Sequence, residues 1–543
     1  MVVPSKEHFL SIVRAQRTAA PGCTPVVPLR ISLLDDQLTP VLAYRRLVAP
    51  DAREAPSFLL ESVEGGERQG RHSILGAQPA REIIAHAHDV RLLEHRELSG
   101  APKTTREADP LDVPRRMVKH LRLVKPPQPG LPNCFLGGWV GFAGYDTVRY
   151  AEPDKLSPAR APRDDRNLPD LHLAFYDGVV VFDHVDKVVH AIRLAQAPPA
   201  ATDADLANIY DRAAAALDER IATLQTHCTP LPSGRIGEAP PAPAPLKSNL
   251  TRDQHANMVA RALDYIRAGD IFQVVLGQRF ERRSTVDPFD VYRALRAVNP
   301  SPYMVYMQAP GVILVASSPE ILCRVRSEGG TALQSRGPIV TNRPLAGTRR
   351  RGTTPEEDKA LELELLADPK ETAEHIMLVD LGRNDDGRVA TPGTITIPAR
   401  LAIERYSHVM HISSTITGEL RDGLDCWDAL RAALPVGTIS GAPKIRAMQI
   451  IDELEPVRRG PYGGGMGYVG LDGNMDIALA LRTMVVPTAL RSPTGEWMYH
   501  LQAAGGIVAD SQPEAEYQET INKAAALARA IEVAEQAFKE PLA

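Results

Sequence analysis

Several things are scarce in this sequence, and each scarcity removes a class of protein. The five cysteines, Cys23, Cys134, Cys228, Cys323 and Cys426, are scattered and odd in number. They form no CxxC or Cys/His spacing, so neither a zinc site nor a disulfide framework is expected. They read as free thiols in a reducing compartment. No apolar run approaches the ~18 residues of a membrane span. The opening residues Lys6, Glu7 and His8 are polar rather than a signal-peptide core, so a cytoplasmic protein is expected. An excess of one charge is also missing. Lys+Arg total 62 against 67 Asp+Glu, a net charge of -5, which argues against nucleic acid as the main partner. No repeat of fixed period is present.

Proline is plentiful, 46 of 543 residues, and it clusters. Six prolines lie between Pro230 and Pro245, with Gly234 and Gly237 among them. That composition resists helix and sheet and reads as an extended linker. The chain divides into an N-terminal region over 25–228, a linker over 229–248 and a catalytic region over 249–530. Length alone would allow roughly three or four domains.

Before the linker, Val179–Phe182 and Val188–Ile192 read as strands around a turn, and 201–224 as a helix. The Gly-rich stretch 135–146 reads as a strand or turn where backbones approach closely. After the linker, Thr251 and Gln254 form a capping box. The helix they open carries Met258, Ala262 and Ile266 on one face and ends at Gly269. A strand is predicted over 271–276. Helices and strands then mix without strict βαβ alternation, which favours α+β.

Two helices carry paired carboxylates. In Lys370–His375, Glu371 and Glu374 are spaced i, i+3 and share a face. A second helix is predicted from Pro513, with Ser511 and Glu514 as a capping box, and carries Glu516, Glu519 and Lys523 on one face. One such pair is ordinarily a solvated helix face. Two pairs from two helices are a natural oxygen-rich magnesium site. The glycine stretches 462–467 and 503–506 are expected to offer backbone amides to an anion. A strand over 475–485 would project Arg482 from a face of small residues, suited to bidentate carboxylate recognition. Together these point to a small molecule with two carboxylates, one on magnesium and one on Arg482 and backbone amides.

Longer motifs then carry a resemblance. They are Leu345–Arg349 (LAGTR) with Arg351-Gly352, Lys370–His375 (KETAEH) running into Met377–Asp385 (MLVDLGRND), Pro435–Lys444 (PVGTISGAPK) and Gln502–Asp510 (QAAGGIVAD). In these the chain resembles the chorismate-utilising enzymes, and within them the anthranilate synthase component I branch, over residues 25–195 and 249–530. The resemblance implies an α+β fold of two intertwined lobes around a central pair of mostly antiparallel sheets flanked by helices. It implies that chorismate and ammonia become anthranilate and pyruvate, the first step of tryptophan synthesis, with Mg2+ as cofactor.

Carried over residue by residue, the magnesium ligands are Glu374 and Glu519, supported by Glu371 and Glu516. The chorismate contacts are Gly347, Thr348, Tyr462, Arg482, the amides of Ala504, Gly505 and Gly506, and Lys523. Thr438 belongs to the same pocket. Glu320 matches the general acid that protonates the departing C4 hydroxyl, and His411 the histidine of pyruvate elimination. By composition His408 competes with His411, and only the motif selects His411. Gln273 stands where water-adding relatives carry a lysine base, and Ala346 where aminodeoxychorismate synthases often carry a lysine nucleophile. Both favour anthranilate synthase, with aminodeoxychorismate synthase component I as the alternative.

Glu61, Ser62, Pro302, Tyr303 and Met304, in LLES and NPSPYM segments, resemble the family's tryptophan feedback site. Three positions depart from the family pattern: Ala504 for a usual Gly, Gly277 for a usual Ser and His72 for a common Tyr. No cysteine has the Gly-x-Cys-x-Gly setting of a glutaminase nucleophile. A separate glutamine amidotransferase subunit is therefore implied, in an expected heterotetramer.

Overall fold

The structure, a computed structural model, describes all residues except 65–67, 96–101, 126–129, 227–230, 236, 238–242, 328–336, 407–408 and 539–543. Cys228, His408 and part of the linker lie outside the described residues.

Two large sheets, of thirteen and twelve strands, organise the described chain. Pairing is antiparallel throughout except where Thr24–Leu34 meets Leu121–Leu123. Both sheets draw on both sides of the linker. In the larger, Ser57–Glu61 pairs with Tyr303–Ala309, Leu60 opposite Val305. In the smaller, Gly138–Ala143 pairs with Gly465–Gly470, Gly141 opposite Gly467. The expected intertwining therefore has a physical form: neither half owns a complete sheet.

A core of Phe58, Ile74, Val140, Phe142, Val181 and Met466 fills the space between the sheets. The outer face of the larger sheet is covered by Pro288–Val298 and Pro513–Ala537, through Phe289, Leu295, Leu527 and Ile531. The helix Cys426–Ala433 covers part of the smaller sheet through Trp427 and Leu430. Burying such faces is the main stabilisation of these elements, at roughly 25 cal/mol per Å2 of apolar surface.

Local signals act where expected. The hairpin strands are Gly178–Asp183 and Val188–Gln196, in antiparallel register. The helix before the linker runs Asp203–Gln225, closed at its start by a Thr202/Asp205 capping box. Thr251 and Gln254 cap Arg252–Arg267 reciprocally, and Gly269 follows with φ +81°. The strand predicted over 271–276 begins later and runs much longer, Gln273–Ser284, with Phe272 left 76% exposed. Described parts of the linker lie along the last helix: the Arg235 amide donates to the Ala537 carbonyl at 2.9 Å.

Three expectations fail. The predicted capping box at Ser511 and Glu514 does not form. Gln512 is the N-cap with no side-chain bond, the Ser511 hydroxyl accepts from the Val508 amide, and Glu514 pairs with Arg252. The strand over 475–485 is two strands, Met475–Leu479 in the smaller sheet and Thr483–Pro487 in the larger. Arg482 stands at the crossing with φ +45°, a conformation costly for a residue with a Cβ. Third, amides of the 462–467 stretch are committed to backbone. Gly463 donates to Ala480, Gly464 to Pro461, and Gly465–Gly470 is paired on both edges.

Candidate active site and a second cavity

The carboxylate helix Pro369–Gly387 begins where it does because Asp368 accepts from the Lys370 and Glu371 amides and Pro369 needs no donor partner. It packs on the strands Leu345–Arg350 and Val409–Glu419. Thr348 lies opposite His411 in that strand pair. Gly347 has φ +69°, and a Cβ there would lie 3.2 Å from Glu371 Oε2. From the other side, the final helix brings Glu516 and Glu519 against Gly505. A Cβ on Gly506 would meet Gln273 Nε2 at 2.6 Å and Glu374 Oε1 at 3.5 Å. A side chain at 506 would therefore push the Gln273 amide from its place beside Glu374.

The carboxylates repel one another. Burial raises the Glu374 pKa, and Glu371 and Glu519 push it further up. Glu516 is raised by burial and by Glu519, against the Ser511 hydroxyl. Glu516 is 6% exposed and its Oε2 has no hydrogen-bond partner. Gln273 donates from Nε2 to Glu374 at 3.3 Å, while its buried Oε1 is unpartnered. A hard dication would relieve this repulsion and satisfy these oxygens, so the donor set fits magnesium. No three His, Cys, Asp or Glu among the described residues converge closely enough to hold an ion by themselves.

Two strand edges complete the site. Gly277 donates its amide to Glu455, and Val275 spends its amide on Ser440 and its carbonyl on Arg459. Their cross-strand partners, Ala504 and Gly506, are therefore in non-hydrogen-bonded pairs and turn their amides to the strand's other edge. The Ala504 amide meets buried Tyr462, and the Ala504 carbonyl accepts from Lys523 Nζ at 2.9 Å. Lys523 also pairs with Glu519 at 2.6 Å. Arg482, whose pKa is lowered by burial, has no acidic partner among the described residues; the phenol of Tyr406 acts on it in the opposite sense. A buried guanidinium without a carboxylate partner has the chemistry for bidentate recognition of a carboxylate.

Two groups are displaced in opposite directions. Burial raises Glu320 to about 8, against the Thr438 hydroxyl and the Leu345 amide. Thr438 Oγ1 donates to Glu320 Oε1 at 2.8 Å. Burial lowers His411 to about 4, with Arg482 acting in the same sense. His411 Nδ1 lies 2.9 Å from the Gly347 carbonyl, which can only accept, so Nδ1 carries the hydrogen. Nε2 is then a lone pair, buried and unpartnered. The strand Leu345–Arg350 joins the two groups, meeting Glu320 at Leu345 and His411 at Thr348.

A second site lies between the sheets. A cavity of about 880 Å3 is lined by Glu61, Ser62, Pro302, Tyr303 and Met304, so the five expected regulatory residues converge. His72 lines it as well. The Glu61 carboxylate is already held by Tyr292 at 2.7 Å and Arg296 at 2.7 Å. Sequence reasoning missed Arg324 and the lining role of Asp476. Tyr303 donates to Asp476 at 2.8 Å, and Arg324 bonds both. It also missed the buried Lys444–Asp385 pair, at 2.7 Å, although both residues sit in quoted motifs. Only folding brings these partners together.

The sequence model of the chorismate binding enzyme family matches residues 55–529. Anthranilate synthase alpha subunit 1 of rice (Oryza sativa subsp. indica) is 52% identical, over 96% of this chain and 90% of its own. The chain belongs to the anthranilate synthase component I family. Anthranilate synthase component 1 of Pseudomonas aeruginosa is 45% identical over 98% of this chain and 100% of its own. The solved component I from Streptococcus pneumoniae shares 34% identity and a TM-score of 0.69, covering 91% of this chain and 99% of that one. The menaquinone-specific isochorismate synthase MenF of Escherichia coli, at 18% identity and a TM-score of 0.64, shares the fold.

Packing links two of the positions noted as departures from the expected pattern. Gly277 and Ala504 face each other across the strand pair. A Cβ on Gly277 would lie 3.0 Å from the Ala504 Cβ and 2.9 Å from the Ala503 carbonyl. Alanine at 504 thus narrows the space for a side chain at 277, and glycine there relieves it.

Proposed function

We propose that the chain converts chorismate and ammonia to anthranilate and pyruvate, using magnesium, under feedback inhibition by tryptophan. The observation that carries this reading is the opposed displacement of Glu320 and His411. At neutral pH the first is a buried acid and the second a buried neutral base. Aminodeoxychorismate synthase is not favoured, since the full-length relatives bear the anthranilate synthase name and Ala346 supplies no nucleophile.

Glu371, Glu374, Glu516 and Glu519 would hold magnesium, which supplies charge neutralisation at the ring carboxylate when bound. Arg482 and the amide of Gly506 take the second carboxylate; of the other two amides expected there, that of Ala504 is held by Tyr462 and that of Gly505 is in the hydrogen-bonded pair with Leu276. Ammonia attacks C2 as the C4 hydroxyl departs, carrying the proton of Glu320. A carboxylate there would leave hydroxide as the leaving group; Glu320 held protonated by burial avoids that. Thr438 orients the acid through its 2.8 Å bond. Gln273 holds Glu374 and cannot deprotonate water, which favours ammonia as nucleophile. His411 Nε2 then accepts the C2 proton as pyruvate leaves and the ring becomes aromatic.

Ammonia is supplied by a separate glutamine amidotransferase subunit in this reading, and the second cavity takes tryptophan. Among the described residues no helix is long and apolar enough to cross a membrane. The test is the full chain with chorismate and magnesium, given ammonium or glutamine. Anthranilate fluorescence and free pyruvate are expected with ammonium alone. Absence of both products with ammonium refutes the reading, and turnover with glutamine refutes the need for a second subunit.

A further inference from the structure

Arg459 is 2% exposed and Glu455 is 4% exposed, and the pair meets the site only through the backbone of Val275 and Gly277. The guanidinium is held on three sides. Nε and Nη2 donate to Glu455 at 2.9 and 2.6 Å, Nη2 also to the Val275 carbonyl at 2.7 Å, and Nη1 to the Ile439 carbonyl at 2.7 Å. Its Cζ lies over the Tyr145 ring, 4.6 Å from the ring centre. Glu455 in turn accepts from the Gly277 amide at 2.8 Å. One fork thus ties the strand of Gln273 to the short turn Gly437–Ile439. Thr438, the residue before Ile439, is the hydrogen-bond donor to Glu320.

We propose that Arg459 is a positioning residue for the general acid: by fixing the Ile439 carbonyl it holds the Thr438 hydroxyl on Glu320. This rests on Glu320 being the acid. A buried arginine with a planar fork and a carboxylate partner is pre-organised for such a task, and lysine cannot reproduce the fork. The alternative is that the pair only adds stability, a role that buried ion pairs fill poorly. The two readings differ in what they do to a proton. The Thr438 bond favours the ionised form of Glu320, so losing it raises the pH at which the acid ionises. Burial, Thr438 and the Leu345 amide are what set that pH, and no charged side chain acts on Glu320 among the described residues.

The test compares Arg459→Lys, Glu455→Gln and Thr438→Val with the unsubstituted chain, at saturating ammonium and chorismate. The readout is the ratio of kcat values across pH, which cancels the ionisation of ammonium. Loss of one charge-assisted bond is expected to shift the pKa by roughly one unit. The ratio should therefore rise roughly fivefold from pH 7 to pH 9 in all three variants. Arg459→Lys should add nothing to that rise in a Thr438→Val background. A flat ratio, or additive rises in the double variant, overturns the proposal. If Arg459→Lys does not fold, Glu455→Gln decides by the same ratio. Glu320→Gln serves as control: if it keeps the native rate, the assignment of the acid has failed rather than that of Arg459.

Discussion

Replacing Glu320 by glutamine should destroy activity and stabilise the protein, by an amount that depends on pH. In the unfolded chain the group titrates near its ordinary 4.5; in the folded protein burial raises it to about 8. Between those values the unfolded state has lost the proton and the native state has kept it. The native state therefore binds more protons, and stability falls as pH rises, by about 1.4 kcal/mol per pH unit. At pH 7 the accumulated cost is about 3 kcal/mol, and it levels off near 5 kcal/mol above pH 8. Glutamine carries no proton to lose, yet its carbonyl can still accept from Thr438. For 543 residues the unfolding entropy is roughly 1.1 kcal/mol/K, so the gain at pH 7 is about 3 °C in Tm. At pH 4.5 the two melting curves should nearly coincide. Anthranilate formation should drop by about 100-fold or more, the usual worth of a general acid. A Tm difference that does not change between pH 4.5 and 8 would refute the burial argument. Equal activity would refute the role.

Three further outcomes follow from the geometry. Glu374→Gln and Glu519→Gln should each weaken magnesium binding at least about tenfold by calorimetry, as loss of a ligand does; unchanged binding removes them from the metal site. Ser62→Arg places a long cation in the 880 Å3 cavity and should abolish tryptophan binding and inhibition while sparing activity without tryptophan; inhibition that persists unchanged sinks the regulatory assignment. Gly277→Ser should cost about 1–3 kcal/mol by overpacking, and adding Ala504→Gly should recover part of it. Strict additivity in that cycle contradicts the contact between the two positions.

The sequence by itself determined the family, the kinds of element and which residues are candidates for the chemistry. These are local matters. A capping threonine, a proline at a helix start or a pair of carboxylates at i, i+3 acts over one or two turns of chain, and is legible there. The paired carboxylates, Glu320, His411 and the segments proposed to bind tryptophan were all readable in this way or through motifs. Tertiary structure decided what those residues meet. Met475–Val485 looked like one strand because apolar alternation runs through it, yet the chain leaves one sheet for the other there, and Arg482 takes φ +45° at the crossing. The amides of 462–467 looked free because glycine signals an open backbone, yet sheet pairing consumes them. Ser511 looked like a cap, yet it turns back to Val508. The meeting of Glu61 with Met304, of Glu320 with Thr438 and of Gly277 with Ala504 depends on strand order and register. Those are fixed by burying two sheet faces against each other, a cooperative choice made by the whole chain that no short window carries.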